Sequence, residues 1–337
     1  MKIKNINTNK KTLIIAEIGN NHEGSLKNAK KLIKLAKNAG ANAVKFQTYT
    51  TKGLINKKNV KRFKQLQKFE LSKSDFIKLK NYTKKLKLLF ISTPFDIESA
   101  KFLVKICDAL KIASSDNNYF ELINQVCSSS KPVIISTGLL KYEEIINLYR
   151  KLINKHGNKI KKRLALLHCV SSYPANDEDL NLKFIQLLKK RIDCTIGYSD
   201  HSIGPLASIL SVASGADIVE KHFTISKKFS KFRDHKLSAD PAEMSFIVNN
   251  VNKVSKMLGK KEKTLKKNEI KNLKVARRSI FANKFIRINQ IVGKNDIKIV
   301  RPGNGLEPNQ VNEILGKISR KNIKEDSLIN FKQFYKK

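Results

Sequence analysis

Two histidines of the sequence, His201 and His222, each come at the end of a short apolar run. Imidazole nitrogens are common ligands of divalent metals, and a site with two of them keeps positions open for water and substrate. Glu17 ends an earlier apolar run, where its carboxylate could act as a base or orient a metal-bound group. These residues predict a metal-assisted reaction with catalytic roles for Glu17 and both imidazoles. The alternative is that one or both histidines are hydrogen-bonded core residues, and three others could compete as ligands, namely His22, His168 and His235.

A second set of polar side chains has the chemistry to bind a small phosphorylated acid. It consists of two lysines and three hydroxyl residues, Lys45, Thr93, Lys111, Ser114 and Ser199. Ammonium groups supply charge for a phosphate or carboxylate, and hydroxyls supply oriented donors. The alternatives are that the lysines pair with Glu17 or Asp116 and that the serines cap helices.

The apolar runs that carry these residues alternate with stretches of helical spacing. Strands are predicted at residues 12–19, 43–48, 88–93, 109–113, 133–137, 164–169, 194–198 and 218–223, and helices at 25–38, 74–85, 97–105, 142–154, 180–190 and 205–214. Continuous apolar strands with helical crossovers indicate a parallel sheet buried on both faces. Eight such units predict an α/β fold, a (β/α)₈ TIM barrel, whose active site is built at the carboxyl ends of the strands. A doubly wound open sheet is the alternative, but its G-x-G-x-x-G turn is missing from the sequence.

After about residue 258, the sequence no longer alternates between apolar runs and stretches of helical spacing. We predict a catalytic barrel over residues 1–258, an exposed lysine-rich linker over 259–274, and a small, mostly β domain over 275–337. No apolar run is long enough for a membrane span, and the first residues do not resemble a secretion signal. We therefore expect a cytoplasmic protein. Its four cysteines, Cys107, Cys127, Cys169 and Cys194, form no C-x-x-C pair and are expected to be small buried residues.

The net charge of +40 taken alone would favour binding to nucleic acid. Only 10 of the 68 basic residues are arginines, and the lysines are spread over the whole length. Arginine is the residue that reads bases and phosphates through two parallel hydrogen bonds. The charge therefore indicates lysine-rich solvated faces, and we expect no specific nucleic-acid partner.

The strand-end motifs, taken in order, resemble those of the sialic acid synthase family. The matching segments are residues 15–24, 44–48, 92–96, 111–114, 136–138, 197–201, 220–224 and 234–236. The resemblance continues through residues 277–279 and 301–305, which are similar to the antifreeze-like (SAF) module that follows the barrel in that family. It covers nearly the whole chain, from about residue 12 to 335.

The resemblance implies a transferase that condenses phosphoenolpyruvate with an N-acylated hexosamine, typically N-acetylmannosamine, and water. The products are a nine-carbon 2-keto sugar acid and phosphate. His201 and His222 match metal ligands, usually for Mn²⁺, with Mg²⁺ or Co²⁺ as alternatives. The positions that match phosphoenolpyruvate contacts are Lys45, Thr93, Lys111, Ser114 and Ser199, and those that match residues around the sugar are Gln47, Tyr173, Asp234 and Arg301.

The family further implies a domain-swapped homodimer, in which Arg301 reaches the partner's barrel and holds the acyl group. The residues alone leave simpler alternatives: Tyr173 could only shape a loop, and Arg301 could be a surface residue of a turn. Residues 50–71 are shorter and richer in lysine than the family's sugar-binding segment, and Ser171 and Asp116 depart from its usual residues. These departures leave the sugar open, so a legionaminic or pseudaminic acid synthase is an alternative, as is a barrel that condenses phosphoenolpyruvate with a phosphorylated sugar.

Overall fold

The computed structural model describes residues 1–260 and 262–335. The chain divides into two compact units, Met1–Gly259 and Lys260–Lys337. Lys261 falls within the predicted linker, and Lys336 and Lys337 within the predicted end domain, and these three residues lie outside the described part.

The first unit is a closed barrel of eight parallel strands preceded by a short antiparallel hairpin. The hairpin strands are β1 (Lys2–Ile3) and β2 (Ile6–Asn7). The barrel strands are β3 (Leu13–Gly19), β4 (Ala43–Thr48), β5 (Leu89–Pro94), β6 (Ala109–Ile112), β7 (Val133–Ser136), β8 (Leu164–Cys169), β9 (Thr195–Asp200) and β10 (Ile218–His222). They pair in chain order, and β10 closes the barrel on β3. The predicted (β/α)₈ barrel is confirmed, and the open-sheet alternative is wrong.

Helices cover the outside of the barrel. They are α1 (Leu26–Asn38), α2 (Thr51–Leu54), α3 (Val60–Phe69), α4 (Lys73–Lys85), α5 (Ile97–Ile106), α6 (Phe120–Cys127), α7 (Tyr142–His156), α8 (Lys183–Arg191), α9 (Leu206–Ala213), α10 (Asp234–Leu237) and α11 (Pro241–Leu258). The six predicted helices correspond to α1, α4, α5, α7, α8 and α9. The prediction for α8 began three residues too early, because Asn181 has a positive φ of 46° and the helix begins only at Lys183. None of the helices in the described residues is both long and apolar enough to span a bilayer.

Burial on two faces explains why the strands read as continuous apolar runs. Every residue of β3 and β8 is buried, with one face toward the barrel interior and the other toward the helices. The helices bury only one stripe; in α1 this stripe is Ala29, Leu32, Ile33 and Ala36. The Ser25 side chain caps α1 by accepting a hydrogen bond from the Asn28 amide at 3.2 Å.

The second unit contains a helix, a two-stranded antiparallel sheet and several isolated bridges. Its elements are α12 (Lys267–Ala276), β11 (Ser279–Ala282), β12 (Ile297–Val300) and α13 (Val311–Ile314). A small apolar core that includes Ile280, Ile286, Val292 and Ile329 holds it together. The linker predicted over residues 259–274 includes most of α12, a helix that was not predicted and that begins at Lys267. None of its residues is buried, and this explains why its sequence looks like a linker.

Candidate active site at the carboxyl ends of the strands

The barrel brings most of the predicted site residues to one cavity. Ten of them line it: Glu17, Lys45, Gln47, Thr93, Lys111, Ser114, Tyr173, Ser199, His201 and His222. Side chains two residues apart on a strand share a face, and so Lys45 and Gln47 on β4 both point inward. The same alternation directs Ser199 and His201, at the end of β9, into the cavity. The cavity lies where the strands end, as expected for a barrel of this type.

Two lysines and two glutamates form a buried charge cluster at the floor of the cavity. The Lys45 ammonium lies 2.9 Å from Glu17 Oε2, 3.5 Å from Glu220 Oε1 and 3.2 Å from the Thr93 hydroxyl. Lys111 lies 3.7 Å from Glu220 Oε1 and donates a hydrogen bond to the Ser136 hydroxyl at 2.6 Å. The predicted alternative of a Lys45–Glu17 pair is thus present, whereas Lys111 pairs with Glu220 and not with Asp116. Two positive and two negative groups balance, which makes their burial tolerable.

The environment of these groups shifts their pKa values in different directions. Burial raises the pKa of Glu17, helped by the negative charge of Glu220 and opposed by Lys45. Burial alone would lower the pKa of Lys45, but the two glutamates outweigh it and raise that pKa. The pKa of Lys111 is lowered, chiefly by burial. Lys45 is therefore favoured in its charged form, and Glu17 is the carboxyl group of this cluster that accepts a proton more readily than usual, whereas the lysines lower the pKa of Glu220.

The hydroxyl residues face the cavity and do not cap helices. The Ser114 hydroxyl accepts a hydrogen bond from the Gly138 amide at 3.1 Å and lies 3.5 Å from the Cys169 sulfur. Ser199 lies within β9 and donates to Glu220 Oε1 at 3.3 Å. The alternative that these serines serve as helix caps is therefore wrong, and each hydroxyl faces the cavity, where it could donate to an anionic ligand only by turning its proton away from Glu220 or Cys169.

The two imidazoles lie close together beside the charge cluster. The ring centroids of His201 and His222 are 5.7 Å apart, and the Tyr173 ring packs on His201 at 4.2 Å. The Nδ1 atom of His201 lies 2.8 Å from the Val170 carbonyl oxygen, so this nitrogen must carry the proton that it donates. The Nε2 lone pair of a neutral His201 is then free for a ligand. Burial lowers the pKa of His222 well below its usual value, and the positive charges of a protonated His201 and of Lys45 lower it further.

The donor atoms fit a divalent cation bound by two imidazoles. With a metal–nitrogen distance near 2.1 Å, a shared ion would lie about 3 Å from each ring centroid, so centroids 5.7 Å apart are within reach. His222 Nδ1 and Glu220 Oε2 are buried and have no hydrogen-bond partner among the described residues. Residues 1–260 and 262–335 contain no cluster of three or more His, Cys, Asp or Glu side chains placed to hold a metal. A cation here would therefore complete its coordination with water or substrate.

The three competing histidines do not line the cavity. His22 Nδ1 accepts a hydrogen bond from the Gly24 amide at 3.0 Å, and His168 Nε2 lies 2.7 Å from the Leu180 carbonyl oxygen. His235 is fully buried between Thr224 and Glu23. These three residues are hydrogen-bonded core histidines, so the structure does not support the prediction that they could compete as ligands.

Two predicted sugar contacts lie outside the cavity lining. Asp234 begins α10, and its Oδ1 atom lies 3.3 Å from Nε of Arg233, whose guanidinium packs over the Tyr173 ring. Asp234 is thus linked to the cavity lining through Arg233, which contacts both Asp234 and the Tyr173 ring. Arg301 belongs to the second unit, where it is exposed and donates from Nε to the Ala276 carbonyl oxygen at 2.8 Å.

The sequence interpretation gave no role to three residues of this region. Glu220 and Ser136 line the cavity and bind the lysines, and Cys169 Sγ lies 3.6 Å from His201 Nδ1. Although burial opposes it, contact with His201 lowers the pKa of the Cys169 thiol. Glu220 could have been found, because it lies two residues before His222 and so shares its face.

Family comparisons agree with this arrangement. Residues 32–263 match the model of the NeuB family, and residues 277–334 match the SAF domain. The chain belongs to the NeuB family. The second unit is accordingly a SAF domain behind the family's barrel.

Relatives and a solved structure resemble the chain over most of its length. It is 37% identical to the N,N'-diacetyllegionaminic acid synthase of Campylobacter jejuni, with 95% of this chain and 99% of the relative covered. It is 36% identical to a pseudaminic acid synthase of the same organism, with 96% and 97% covered. The crystal structure of an N-acetylneuraminic acid synthetase from Leptospira borgpetersenii is 36% identical, with a TM-score of 0.75 and 81% and 94% of the two chains covered. These NeuB relatives have different named products at nearly equal identity, so identity alone does not select the sugar.

Proposed function

We propose that this NeuB-family chain condenses phosphoenolpyruvate with an N-acylated hexosamine and water to give a nine-carbon 2-keto sugar acid and phosphate. The observation that carries the proposal is the convergence of two buried lysines and two adjacent imidazoles in one cavity at the carboxyl ends of the strands. The two lysines suit the binding of a phosphorylated acid, and the two imidazoles suit the polarisation of a carbonyl. N-acetylmannosamine is the first acceptor to test, and the precursors of legionaminic and pseudaminic acid are the alternatives.

Phosphoenolpyruvate would bind over the charge cluster at the cavity floor. Lys45 and Lys111 supply ammonium groups for its phosphate and carboxylate, and Thr93, Ser114 and Ser199 supply hydroxyl donors. The lysines are already paired with Glu17 and Glu220, so an incoming anion shares existing cations instead of meeting unpaired ones. Bound in this way, phosphoenolpyruvate would present its enol carbon toward the imidazoles, and holding both reactants together would remove much of the entropic barrier to attack.

The acceptor aldehyde would lie at the mouth of the cavity. His201 and His222 would hold a divalent cation, Mn²⁺ first and Mg²⁺ or Co²⁺ as alternatives, which supplies Lewis-acid polarisation of the carbonyl when bound. Tyr173 packs on His201 and excludes water from one side of it. Gln47, which donates a hydrogen bond to Glu17 Oε1 at 3.3 Å, and Asp234 are the candidate groups for the sugar hydroxyls.

Glu17 is the candidate to handle the proton of the attacking water. Carbon 3 of phosphoenolpyruvate forms the new bond to the aldehyde carbon, whose oxygen takes the electron pair of the broken π bond and is protonated to a hydroxyl; carbon 2 is left electron-poor. Water then adds at carbon 2 and gives up one proton, and the hydroxyl so formed loses its second proton as the carbon–oxygen bond to phosphate breaks and carbon 2 becomes the ketone. Burial raises the pKa of Glu17 toward the range in which a carboxylate accepts a proton and returns it. The anionic Glu220 beside it stabilises the positive charge that develops at carbon 2.

A domain-swapped homodimer in the cytoplasm is part of the same proposal. In it, Arg301 would contact the acyl group of a sugar bound in the partner's barrel. Two points support this assignment. Arg301 is exposed, so its guanidinium is accessible. The carbonyl oxygen of an N-acyl group accepts hydrogen bonds, and a guanidinium supplies the donors. Sedimentation at several concentrations tests the dimer, and Arg301→Ala should weaken sugar binding without changing the affinity for phosphoenolpyruvate.

The reaction is tested by following phosphate release and product mass together. Purified, metal-loaded protein is mixed with phosphoenolpyruvate and a panel of N-acyl sugars, including N-acetylmannosamine and its phosphorylated form. We expect phosphate release with an unphosphorylated sugar and a product heavier than the sugar by the mass of a pyruvate unit. Preference for the phosphorylated sugar would favour the alternative condensing enzyme. Folded protein that releases no phosphate with any sugar would contradict the proposal.

A further inference from the structure

A second buried ion pair lies behind the two imidazoles, on the opposite face of their strands from the cavity. The Lys221 ammonium is 3.0 Å from Asp200 Oδ2, and both side chains are completely buried. Asp200 ends β9, and Lys221 is the next-to-last residue of β10. Neither residue lines the cavity, so the proposed reaction gives them no direct role.

The pair is the centre of a network that includes two serines. Asp200 Oδ1 accepts hydrogen bonds from the amide and the hydroxyl of Ser202, at 2.9 and 2.7 Å. Asp200 Oδ2 accepts a third from the hydroxyl of Ser208 on α9, at 2.6 Å. Lys221 also donates to the Ser202 carbonyl oxygen at 2.6 Å. All of these side chains are buried, so the network joins β9, β10 and α9 without help from solvent.

Residues of the network are the immediate sequence neighbours of both imidazoles. His201 lies between Asp200 and Ser202, and both of these neighbours are fixed by the network. His222 directly follows Lys221, which is the register partner of Asp200 across the two strands. Any sliding of β9 against β10 would have to break the ion pair before the imidazoles could separate.

Stability alone gives little reason for such a pair. Burying two charges costs free energy that their attraction only partly offsets, and a well-packed apolar pair of the same size often stabilises a fold as well or better. A short apolar contact would also hold the two strands less specifically than the two directed contacts of Lys221, to Asp200 Oδ2 and to the Ser202 carbonyl oxygen. The position of the network behind the imidazoles therefore suggests a role in their geometry.

We propose that Asp200 and Lys221 are positioning residues that fix the separation of His201 and His222 and thereby set the affinity of the site for a divalent cation. This inference rests on the proposed function, because it requires that the imidazoles hold a cation. Groups that orient metal ligands without touching the metal commonly change metal affinity by 10- to 100-fold when they are removed. We expect an effect of about this size from Lys221→Met.

The test measures Mn²⁺ binding separately from phosphoenolpyruvate binding. Metal-free full-length protein is titrated with MnCl₂, and free Mn²⁺ is followed by its electron paramagnetic resonance signal. Phosphoenolpyruvate affinity is measured by calorimetry on the same metal-free samples. For Lys221→Met, we expect Mn²⁺ affinity about 10- to 100-fold weaker and a much smaller loss of phosphoenolpyruvate affinity, because Ser199 is the one proposed contact of that substrate on β9 or β10, and Lys45, Thr93, Lys111 and Ser114 lie elsewhere.

Two further variants keep the test decisive. Ser208→Ala removes only one donor to Asp200 and should weaken Mn²⁺ binding about three- to tenfold, so it decides the matter if Lys221→Met does not fold. Lys189→Met is the matched control, because Lys189 forms a partly exposed pair with Asp217 at 2.7 Å; it should bind Mn²⁺ like the wild type.

The outcomes separate this inference from the proposed function. Wild-type Mn²⁺ affinity in both Lys221→Met and Ser208→Ala would overturn the positioning role and leave the proposed reaction intact. Equal loss of Mn²⁺ and phosphoenolpyruvate affinity would also overturn it, since that result indicates general loosening of the barrel. A wild-type protein that binds no Mn²⁺ would reject the metal site itself and this inference with it.

Discussion

Glu17 and Lys45 are register partners on adjacent strands β3 and β4, and their charged atoms lie 2.9 Å apart in the barrel interior. Both side chains are almost completely buried. The ion pair is therefore built into the sheet and does not depend on a flexible loop. Because Lys45 also contacts Glu220, the loss of one carboxylate charge still leaves it a partner.

The first prediction concerns Glu17→Gln. The substitution keeps the size of the side chain and removes its charge and its ability to accept a proton. We expect kcat to fall by roughly 10²- to 10⁴-fold, as for a general base. The KM for phosphoenolpyruvate should not rise, because the lysines lose a competing anion. Steady-state kinetics with both substrates measures kcat and KM separately. The matched control is Glu98→Gln, because Glu98 is an exposed residue of α5 that pairs with Lys101. A kcat within a fewfold of wild type would remove Glu17 from proton handling.

The second prediction concerns His222→Ala. Removing one of two imidazole ligands should abolish Mn²⁺ binding at micromolar concentrations and reduce activity to the level of metal-free protein. Circular dichroism should show an intact fold, since the imidazole Nδ1 atom makes no hydrogen bond within the described residues. His156→Ala, on α7 and away from the cavity lining, should keep wild-type metal binding. Metal-dependent turnover in the His222 variant would show that this histidine is not a ligand.

The sequence predicted the barrel well because its physical signal is local. Strands buried on both faces must be apolar along their length, and eight of them alternate with helices. The structure excludes His168 as a ligand: Ala165 and Leu167 belong to the inward-facing core of β8, so His168 between Leu167 and Cys169 faces outward. The sequence did not show this, because β8 is buried on both faces and its apolar residues do not distinguish inside from outside.

The long-range pairings could not be predicted from local patterns. Lys111 meets Glu220 only because β10 closes the barrel on β3 and brings distant strands around one axis. The helix α12 was missed for a different reason: it buries none of its residues, so no apolar stripe distinguishes it from a lysine-rich linker.

The third prediction concerns the close approach of Gly138 to Ser114. A β-carbon at Gly138 would lie 2.7 Å from the Ser114 hydroxyl oxygen and 2.3 Å from that of Ser171. Serine hydroxyls can rotate away, so Gly138→Ala should cost little stability, on the order of 1 kcal/mol. The displaced Ser114 should raise the KM for phosphoenolpyruvate about tenfold. Kinetics and urea unfolding together check this, and an unchanged KM would show that Ser114 does not contact that substrate.

The fourth prediction links His22 to the pH dependence of stability. Burial lowers the pKa of His22 from 6.5 to about 4, and in the unfolded chain it returns to its ordinary value. Below pH 6.5, His22 is therefore protonated in the unfolded state, whereas in the folded state it stays neutral until the pH falls to about 4. The stability associated with neutral His22 is complete above pH 6.5 and is lost as the pH falls toward 4. Between pH 7 and 5 this amounts to roughly 2 kcal/mol.

His22→Gln isolates this contribution, because glutamine does not titrate and keeps a hydrogen-bond acceptor for the Gly24 amide. The variant is expected to be less stable than wild type at pH 7, since its side chain packs less well against Phe46. On going from pH 7 to 5, however, it should lose roughly 2 kcal/mol less than wild type, because only wild type carries the extra proton uptake. Urea unfolding at both values measures the difference. Parallel losses in the two proteins would show that His22 is protonated as readily in the fold as in the unfolded chain.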